Sequence, residues 1–344
     1  MDKIDGFKLA ANKMGYNVEL INLFGSKSLL KYFKQMIKIV TSDAKTVYYR
    51  CVPIITIVFY GLFIIAKLQR KKLIVEVATP MRAIIREIME QRKNKFNNIK
   101  YLLYIYISGP WQHWVFDIVI QYGNEGSYFN ICNKKRIILI GNGININRIN
   151  IRKVYNNSHN HELLLVAVST AISKYHGFDR VIKAIYVWNS ESRQYSVKFH
   201  VIGDGNALNE LKELVTKYNL TQYVIFHGMR NMDYIKEFYS SCHLAVSSLG
   251  FFRLKLYEAS PLKSREYCAA GIPFIAVGED PDFPKNVPFR IVVSNDDNIS
   301  DIVKIFSSFS EIRSKFNDED IRRYAESNLS FESKLIKIGI KSLI

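Results

Sequence analysis

Residues Tyr257–Val277 read YEASPLKSREYCAAGIPFIAV. Glu258 and Glu266 stand eight positions apart in this stretch, the pattern E-x7-E. The first falls in a loop. The second falls in a predicted helix that ends at Ala270-Gly271, where glycine supplies the C-cap, and Pro273 stops it ahead of a strand. An acidic side chain buried at the start of a helix accepts hydrogen bonds from the vicinal hydroxyls of a ribose or hexose, and loop amides at a helix N-terminus hold a diphosphate. Lys263 and Arg265 add positive charge beside them. Two glutamates by themselves fit an ordinary capped helix with surface charge equally well, so the surrounding chain has to decide.

Outward from this stretch, the second half alternates strand and helix signals. Strands are predicted at Leu163–Ser169, Val197–Gly203, Tyr223–Phe226, Leu244–Ser247, Pro273–Val277 and Phe289–Val293, with helices starting near Gly177, Ala207, Met232, Leu262 and Asn298. The first half keeps the same rhythm. Tyr16–Leu23, Thr46–Arg50, Leu73–Ala78, Asp117–Tyr122 and Arg136–Ile140 read as strands, and 26–40, 53–70 and 81–97 as helices. Such alternation predicts mostly parallel sheets covered by helices. The polar, aperiodic stretch Arg148–His161 reads as a linker. The expected fold is α/β, with two Rossmann-like domains facing a cleft: residues 1–150 and 151–325, with a C-terminal helix over 326–344 packing back toward the first domain. Ligands in such folds bind outside the carboxyl ends of strands. The first domain is expected to lack its first strand, because the chain opens with an amphipathic helix and reaches a strand only at Tyr16. Either the chain is shortened at its N-terminus or that strand has been dispensed with.

Composition bounds the function classes. A chain of 344 residues that is 48% hydrophobic and 23% charged supports two cores and excludes wholesale disorder. Cys51, Cys132, Cys242 and Cys268 have neither metal nor disulfide spacing and read as reduced core residues in a reducing compartment. Sequons such as Asn219-Leu220-Thr221 carry no meaning in that setting. The N-terminus has mixed charge and no apolar signal-peptide core. The apolar run Val52–Ala66 is 15 residues, short of the roughly 20 that span a bilayer, and reads as a buried helix between strands; an in-plane membrane helix is the other reading. The net charge of +17 is lopsided: residues 1–150 carry 23 Lys/Arg and 9 Asp/Glu, whereas 151–344 carry 25 and 22. A field of that shape favours a polyanionic surface beside the first half, and nucleic acid and anionic lipid both fit it.

The motif set resembles family 4 glycosyltransferases. E-x7-E followed by a small-residue helix turn and G-I-P is similar to that family's donor-site signature, and K-S-R-E-Y-x-A-x-G-I-P is similar to a bacterial subgroup associated with capsule and exopolysaccharide assembly. The blocks His176-Gly177-Phe178-Asp179-Arg180, Phe199–Gly205, Val224–Gly228 and Asn142-Gly143-Ile144 agree in order and spacing. The resemblance covers roughly residues 5–340 and implies the two-domain GT-B fold, with an acceptor-side first domain and a nucleotide-sugar donor domain second. It implies that Glu266 accepts from the ribose and Glu258 contacts the transferred sugar. Amides around Ser260, Pro261 and Leu262 would hold the sugar and diphosphate. Gly203, Gly205 and Gly228 would admit the donor to the backbone. Many members carry Arg and Lys after the first donor-domain strand; here Thr170 and His176 stand there. Lys174, Lys263 or Arg265 is expected to replace that clamp, with His176 as a hydrogen-bond donor.

The resemblance implies transfer with retained anomeric configuration, and preorganised cations and amides are expected to stabilise the charge on the departing diphosphate. No metal or other cofactor is called for. The acidic groups Glu279-Asp280-Pro281-Asp282 and Asp296-Asp297 read as surface turns after strands. Ser26–Val40 is a basic amphipathic helix with Lys27, Lys31, Lys34 and Lys38 in one stripe and Leu30, Phe33, Ile37 and Val40 in the other. With Arg92–Lys100 it predicts a peripheral attachment to the inner face of an anionic cell membrane, where a lipid-linked saccharide acceptor is reached; a domain helix with a solvated lysine face is the other reading. Competing functions are a sugar-nucleotide epimerase on the same scaffold and a basic nucleic-acid-binding protein. The second lacks aromatic–basic interleaving on a recognisable module, so no nucleic-acid partner is expected. An NAD oxidoreductase is disfavoured because no G-x-G-x-x-G follows a strand.

Overall fold

The computed structural model describes residues 3–21, 29–51, 53–77, 79–90, 95–131, 136–152, 162–191 and 195–339. The chain divides into two units. One runs to Gly141 and takes back the C-terminal helix Phe331–Ile338; the other is Asn142–Ser330. The division thus falls between Gly141 and Asn142, and residues 153–161 of the expected linker lie outside the described residues.

The first unit is a four-stranded parallel sheet of β1 (Thr46–Arg50), β2 (Lys72–Val77), β3 (Ile118–Gln121) and β4 (Ile137–Leu139), in that spatial order. Each of these strands coincides with a run predicted from the sequence. The run at Tyr16–Leu23 does not form a strand over residues 16–21, and 22–23 lie outside the described residues. An unbroken apolar run is what burial on both faces of a strand demands: Leu73, Ile74 and Val75 of β2 are fully buried. Helix Lys3–Lys13 packs on Phe331–Ile338 through Ala10, Ala11, Phe331 and Leu335. A Cβ on Gly6 would lie 2.0 Å from the Phe331 ring, so a side chain there would have to displace that ring.

The apolar run after β1 forms two helices, Pro53–Val58 and Tyr60–Leu68, between β1 and β2. Phe59, Phe63 and Ala66 enter the core, but Val58, Ile64, Ile65 and Leu68 are exposed, which corrects the reading of a buried helix. Helix Lys95–Gln112 extends far beyond the predicted 81–97 segment, which itself forms Met81–Glu90. Ser26–Val40 becomes Leu29–Met36 and the short turn Lys38–Thr41, with residues 22–28 outside the described residues. Cys242 and Cys268 are buried as expected, Cys51 is partly buried, and Cys132 lies outside the described residues.

The second unit is a six-stranded parallel sheet: β5 (Glu162–Ser169), β6 (Ser196–Gly203), β7 (Val224–Gly228), β8 (Leu244–Val246), β9 (Phe274–Val277) and β10 (Arg290–Val293). Its spatial order is β10-β9-β8-β5-β6-β7. The chain starts in the middle at β5, winds outward through β6 and β7, then returns to β8 and winds the other way. That is the Rossmann order, and it leaves a switch point between β5 and β8. Helix Phe178–Asn189 covers one face with Val181, Ile182 and Ile185, and helix Leu262–Ala269 covers the other with Tyr267, Cys268 and Ala269.

Candidate functional site

The switch point is built from the loop after β5, the loop after β8 and the first turn of helix Leu262–Ala269. Tyr267 ties the three together: Val168 N–H donates to its hydroxyl oxygen (3.1 Å), and the hydroxyl donates to the Val246 carbonyl (3.2 Å). Ser247 and Ser264 hydroxyls bond at 2.7 Å just below the helix start.

The loop after β5 is held by its own groups. Ser173 N–H donates to His176 Nδ1 (3.0 Å), which puts the ring proton on Nε2, and Nε2 lies 3.1 Å from Ser169 Oγ. Burial and the nearby Lys263 charge leave the imidazole neutral, its pKa lowered to about 3. Both ring nitrogens of His176 are therefore engaged inside the loop. Gly203 and Gly205 at the end of β6 have φ +136° and +154°, and a Cβ there would lie 1.7 Å from Ser169 O and 2.2 Å from Ile172 N. The absence of side chains there lets the chain's own β5 loop press against β6. Gly177, at φ +65°, lets Leu249 and Gly250 of the β8 loop donate to the His176 and Tyr175 carbonyls at 2.8 and 3.0 Å.

The E-x7-E segment is fixed from two sides. Glu258 lies in a stretch that pairs with the turn after β9: Glu279 N–H donates to Tyr257 O (2.7 Å), and Ala259 N–H to Glu279 O (3.0 Å). Asn142 N–H donates to Ser260 Oγ (2.6 Å), and the Asn142 side-chain amide donates to the Ser260 carbonyl. Pro261 then starts the helix, with Leu262 exposed and with no side-chain cap on the first amides. Its first turn holds no acidic residue and two basic ones, the reverse of what the helix dipole favours.

Those two cations have opposite fates. Arg265 is fully buried and directed into the core, its guanidinium paired with Asp280 and, at 2.8 Å, with Asp282. It is not a donor-facing charge, and Asp280 and Asp282 are not the surface turn that the sequence predicted; both are buried. Lys263 lies on the other side of the helix, because residues two apart do not share a face. Its Nζ is buried, 5.2 Å from the Phe178 ring centroid, and makes no hydrogen bond among the described residues. Burial pushes its amine down to about 7, with Glu266 opposing. Burial likewise raises the Glu266 carboxyl, with Lys263 opposing. A half-neutralised cation one turn from a desolvated carboxyl, at an uncapped helix start, is an arrangement that an anion with neighbouring hydroxyls would complete.

The remaining predicted residues fall around this centre. Thr170 is exposed directly after β5, at the start of its loop. Lys174 pairs with Glu210 at 2.8 Å and lines a 310 Å³ hollow with Asp179, Lys183 and Arg253. Gly228, at φ +66°, closes β7 with open space where a Cβ would stand. Lys34 is exposed, Lys38 pairs with Glu19 at 2.8 Å, and Lys27 and the Lys31 side chain lie outside the described residues. Sequence reasoning missed Asn142 as a holder of the Ser260 loop and Asp280/Asp282 as the Arg265 partners. The H-G-F-D-R spelling was legible, but Arg180 proves structural, donating to Leu249 O at 2.6 Å and to Asn298 O. Among the described residues no three His, Cys, Asp or Glu side chains gather as a metal set.

Residues 148–287 match a family described as glycosyl transferases group 1. No curated protein sequence matches the chain. Among solved structures, Anabaena HepE in complex with UDP is similar, with TM-score 0.62 and 15% identity over 97% of this chain and 89% of that one. Sucrose-phosphate synthase from Thermosynechococcus elongatus gives TM-score 0.61 and 15% identity over 94% and 81%. TarM gives TM-score 0.60 and 17% identity over 90% of this chain and 57% of that one, so the chain spans little more than half of TarM's length. At these identities the likeness is one of fold, the two-Rossmann-unit GT-B architecture. The sequence match over the second unit supports a glycosyltransferase.

Proposed function

We propose that the chain is a retaining glycosyltransferase that moves a sugar from a nucleotide-sugar onto a lipid-linked saccharide at an anionic membrane surface, in cell-surface polysaccharide assembly. The observation that carries the donor half is the Lys263 ammonium, buried without a hydrogen-bond partner among the described residues at the start of helix Leu262–Ala269. The group 1 match over 148–287 supports it, as does the HepE structure, which holds UDP. The acceptor half rests on the K-S-R-E-Y-x-A-x-G-I-P resemblance and on the basic first unit, where Lys34 and Lys38 stand on the side predicted to meet lipid.

In this reading Lys263 and the first amides of the helix hold the diphosphate, in place of the clamp that Thr170 and His176 no longer supply. Glu266 accepts from ribose hydroxyls and Glu258 from the sugar, while Asn142 and His176 keep their two loops in place. The anomeric C–O bond breaks with its electron pair going to the diphosphate, whose charge the Lys263 ammonium stabilises. The acceptor hydroxyl bonds to the anomeric carbon from the same face and passes its proton to the departing diphosphate. Charge placed in advance where it develops lowers the barrier without reorganisation at the moment of reaction.

A thermal-shift screen against UDP-, GDP- and ADP-linked sugars tests the donor half. One donor at about a hundred times its Kd should stabilise the protein by roughly 2.7 kcal/mol. Glu266→Ala and Lys263→Met should remove that shift, and Lys263→Met should lower turnover by about a hundredfold or more. Lys263→Met should also raise the melting point of the ligand-free protein, because a buried cation gives way to an apolar side chain. A full donor shift in Lys263→Met sinks the assignment of the diphosphate to that residue. Release of a free isomeric sugar nucleotide, with no transfer, would make the protein an epimerase.

A further inference from the structure

The most unusual surface of the molecule is on the first unit, on helices that the donor chemistry does not use. In helix Lys95–Gln112 the inner edge packs conventionally: Ile105 is fully buried with Met81, Ile85 and Phe129. The outer edge should be polar. Instead Ile99, Leu103, Ile107 and Trp111 follow one another at four-residue spacing, and all are exposed, Ile107 to 72% and Trp111 to 61%. Trp114, 62% exposed in the turn that follows, continues the line. Helix Pro53–Val58 packs against this helix, and Tyr60 donates to the Trp111 carbonyl at 3.1 Å. Beyond it Ile64, Ile65 and Leu68 are exposed as well. Two neighbouring helices therefore turn apolar faces outward, the reverse of an ordinary surface helix, and a patch of that kind marks an interaction site.

The charge around the patch identifies the occupant. No Asp or Glu occurs between Asp43 and Glu76 or between Glu90 and Asp117, the two stretches that hold these helices. Lys100 is exposed next to Ile99, Arg70 is exposed two positions after Leu68, and Lys34 is exposed on the nearby helix Leu29–Met36, whose Phe33 ring lies 6.4 Å from Phe59. The whole unit holds 25 Lys/Arg and 10 Asp/Glu. A second copy would bring like charge against like charge. A bilayer with anionic headgroups accepts both the cations and the apolar row, and Tyr106, Trp111 and Trp114 have the amphipathic rings that settle at the headgroup level. Among the described residues no helix is long and apolar enough to cross a membrane.

We propose that the outward face of helices Tyr60–Leu68 and Lys95–Gln112 inserts into the headgroup–acyl boundary of an anionic bilayer, with Trp111 and Trp114 as its anchors. The attachment expected from Ser26–Val40 is electrostatic; this one is apolar, and it is centred on different helices. It deepens the membrane half of the proposed function and is independent of the donor assignment.

The test uses the full chain, unliganded, with phosphatidylcholine vesicles that contain or lack phosphatidylglycerol and carry bromine on their acyl chains. Bromine quenches only tryptophans that reach the chains. Trp188, 3% exposed in the second unit, stays out of reach as the internal control. Quenching that requires phosphatidylglycerol, and that disappears in the Trp111→Phe/Trp114→Phe variant, is the expected result. Leu103→Gln/Ile107→Gln should melt at the wild-type temperature yet partition onto the vesicles roughly tenfold more weakly. Glu266→Ala should bind vesicles as the wild type does, so failure of the donor reading leaves this result untouched. Binding that salt abolishes and that never quenches overturns the proposal in favour of electrostatic adsorption. A monomer that neither binds nor quenches also overturns it. A solution dimer that Ile107→Gln dissociates would make the face a protein interface instead.

Discussion

The two units build parallel sheets from the same strand-and-helix rhythm and differ in what they leave exposed. In the second unit the strand order reverses between β5 and β8, and the anomalies are polar groups inside: Arg152 on Asp318, Arg265 on Asp280 and Asp282, and the Lys263 amine with no hydrogen-bond partner among the described residues. In the first unit the strands run β1-β2-β3-β4 without reversal; Glu76, His113, Gln121 and Glu125 are buried there too, but what sets this unit apart is its apolar groups outside. Of the large apolar side chains exposed among the described residues, eighteen lie in the first unit and six in the second. The net charges, +15 and +2, follow the same division. A reversal of strand order opens a crevice in which buried polar groups meet a ligand. A sheet without one offers its surface instead.

That contrast can be broken most directly at Arg265. Arg265→Ala leaves two buried carboxylates without their cation and should lower the unfolding free energy by about 3–5 kcal/mol, read as a lower urea midpoint. Normal stability combined with loss of the donor shift would return Arg265 to the donor site and blur the distinction drawn from Lys263. A smaller effect is expected from pH. The Lys263 amine titrates near 7 in the folded, unliganded chain, beside Glu266 and neutral His176. Diphosphate binding requires the ammonium, so donor affinity should fall by about tenfold per pH unit above 7 until the bound amine itself titrates. The ligand-free protein responds with the opposite sign. An unfolded lysine titrates at about 10.4, so between 7 and that value the unfolded chain binds more protons and Lys263 makes stability rise with pH. Donor affinity by calorimetry at pH 6 and pH 9 reads the first effect; a flat profile means the diphosphate is held elsewhere. The smallest effect sharpens the other side. Ile107→Gln should change stability by no more than about 0.5 kcal/mol, whereas Ile105→Gln, two residues away on the buried edge, should cost roughly 3 kcal/mol. Equal losses would show that Ile107 is covered within the protein, and the outward face would disappear with it.

Much of the second unit was legible in the residues alone. All six of its strands coincide with predicted runs: β8 and β9 are buried throughout and read as apolar stretches, and the others, although β7 and β10 are only partly buried, keep β-rich residues bounded by turn residues. The E-x7-E segment was legible as a loop, a helix start and a glycine C-cap. The partners of that segment were not. Asn142 meets Ser260 across 118 positions, and Arg265 meets Asp280 only because the turn after β9 folds back under the helix. The first unit was harder to read. Helix Lys95–Gln112 has apolar residues on both its buried and its exposed edge, so its sequence lacks the polar stripe that marks a surface helix, and prediction stopped at 97.

By itself the sequence determined that the chain alternates strands and helices into parallel sheets, that its positive charge lies in the first half, and that 257–277 carries an E-x7-E pattern on a loop and a helix ended by a glycine cap. These follow from local periodicity and composition, which need no knowledge of what packs on what. The tertiary structure decided which of two neighbouring cations is buried with partners and which without, whether His176 is free or held by its own loop, which glycines serve the chain's own packing, and which apolar residues of a helix face outward. Each depends on groups distant in sequence competing for the same small volume, and only the packed chain settles that competition.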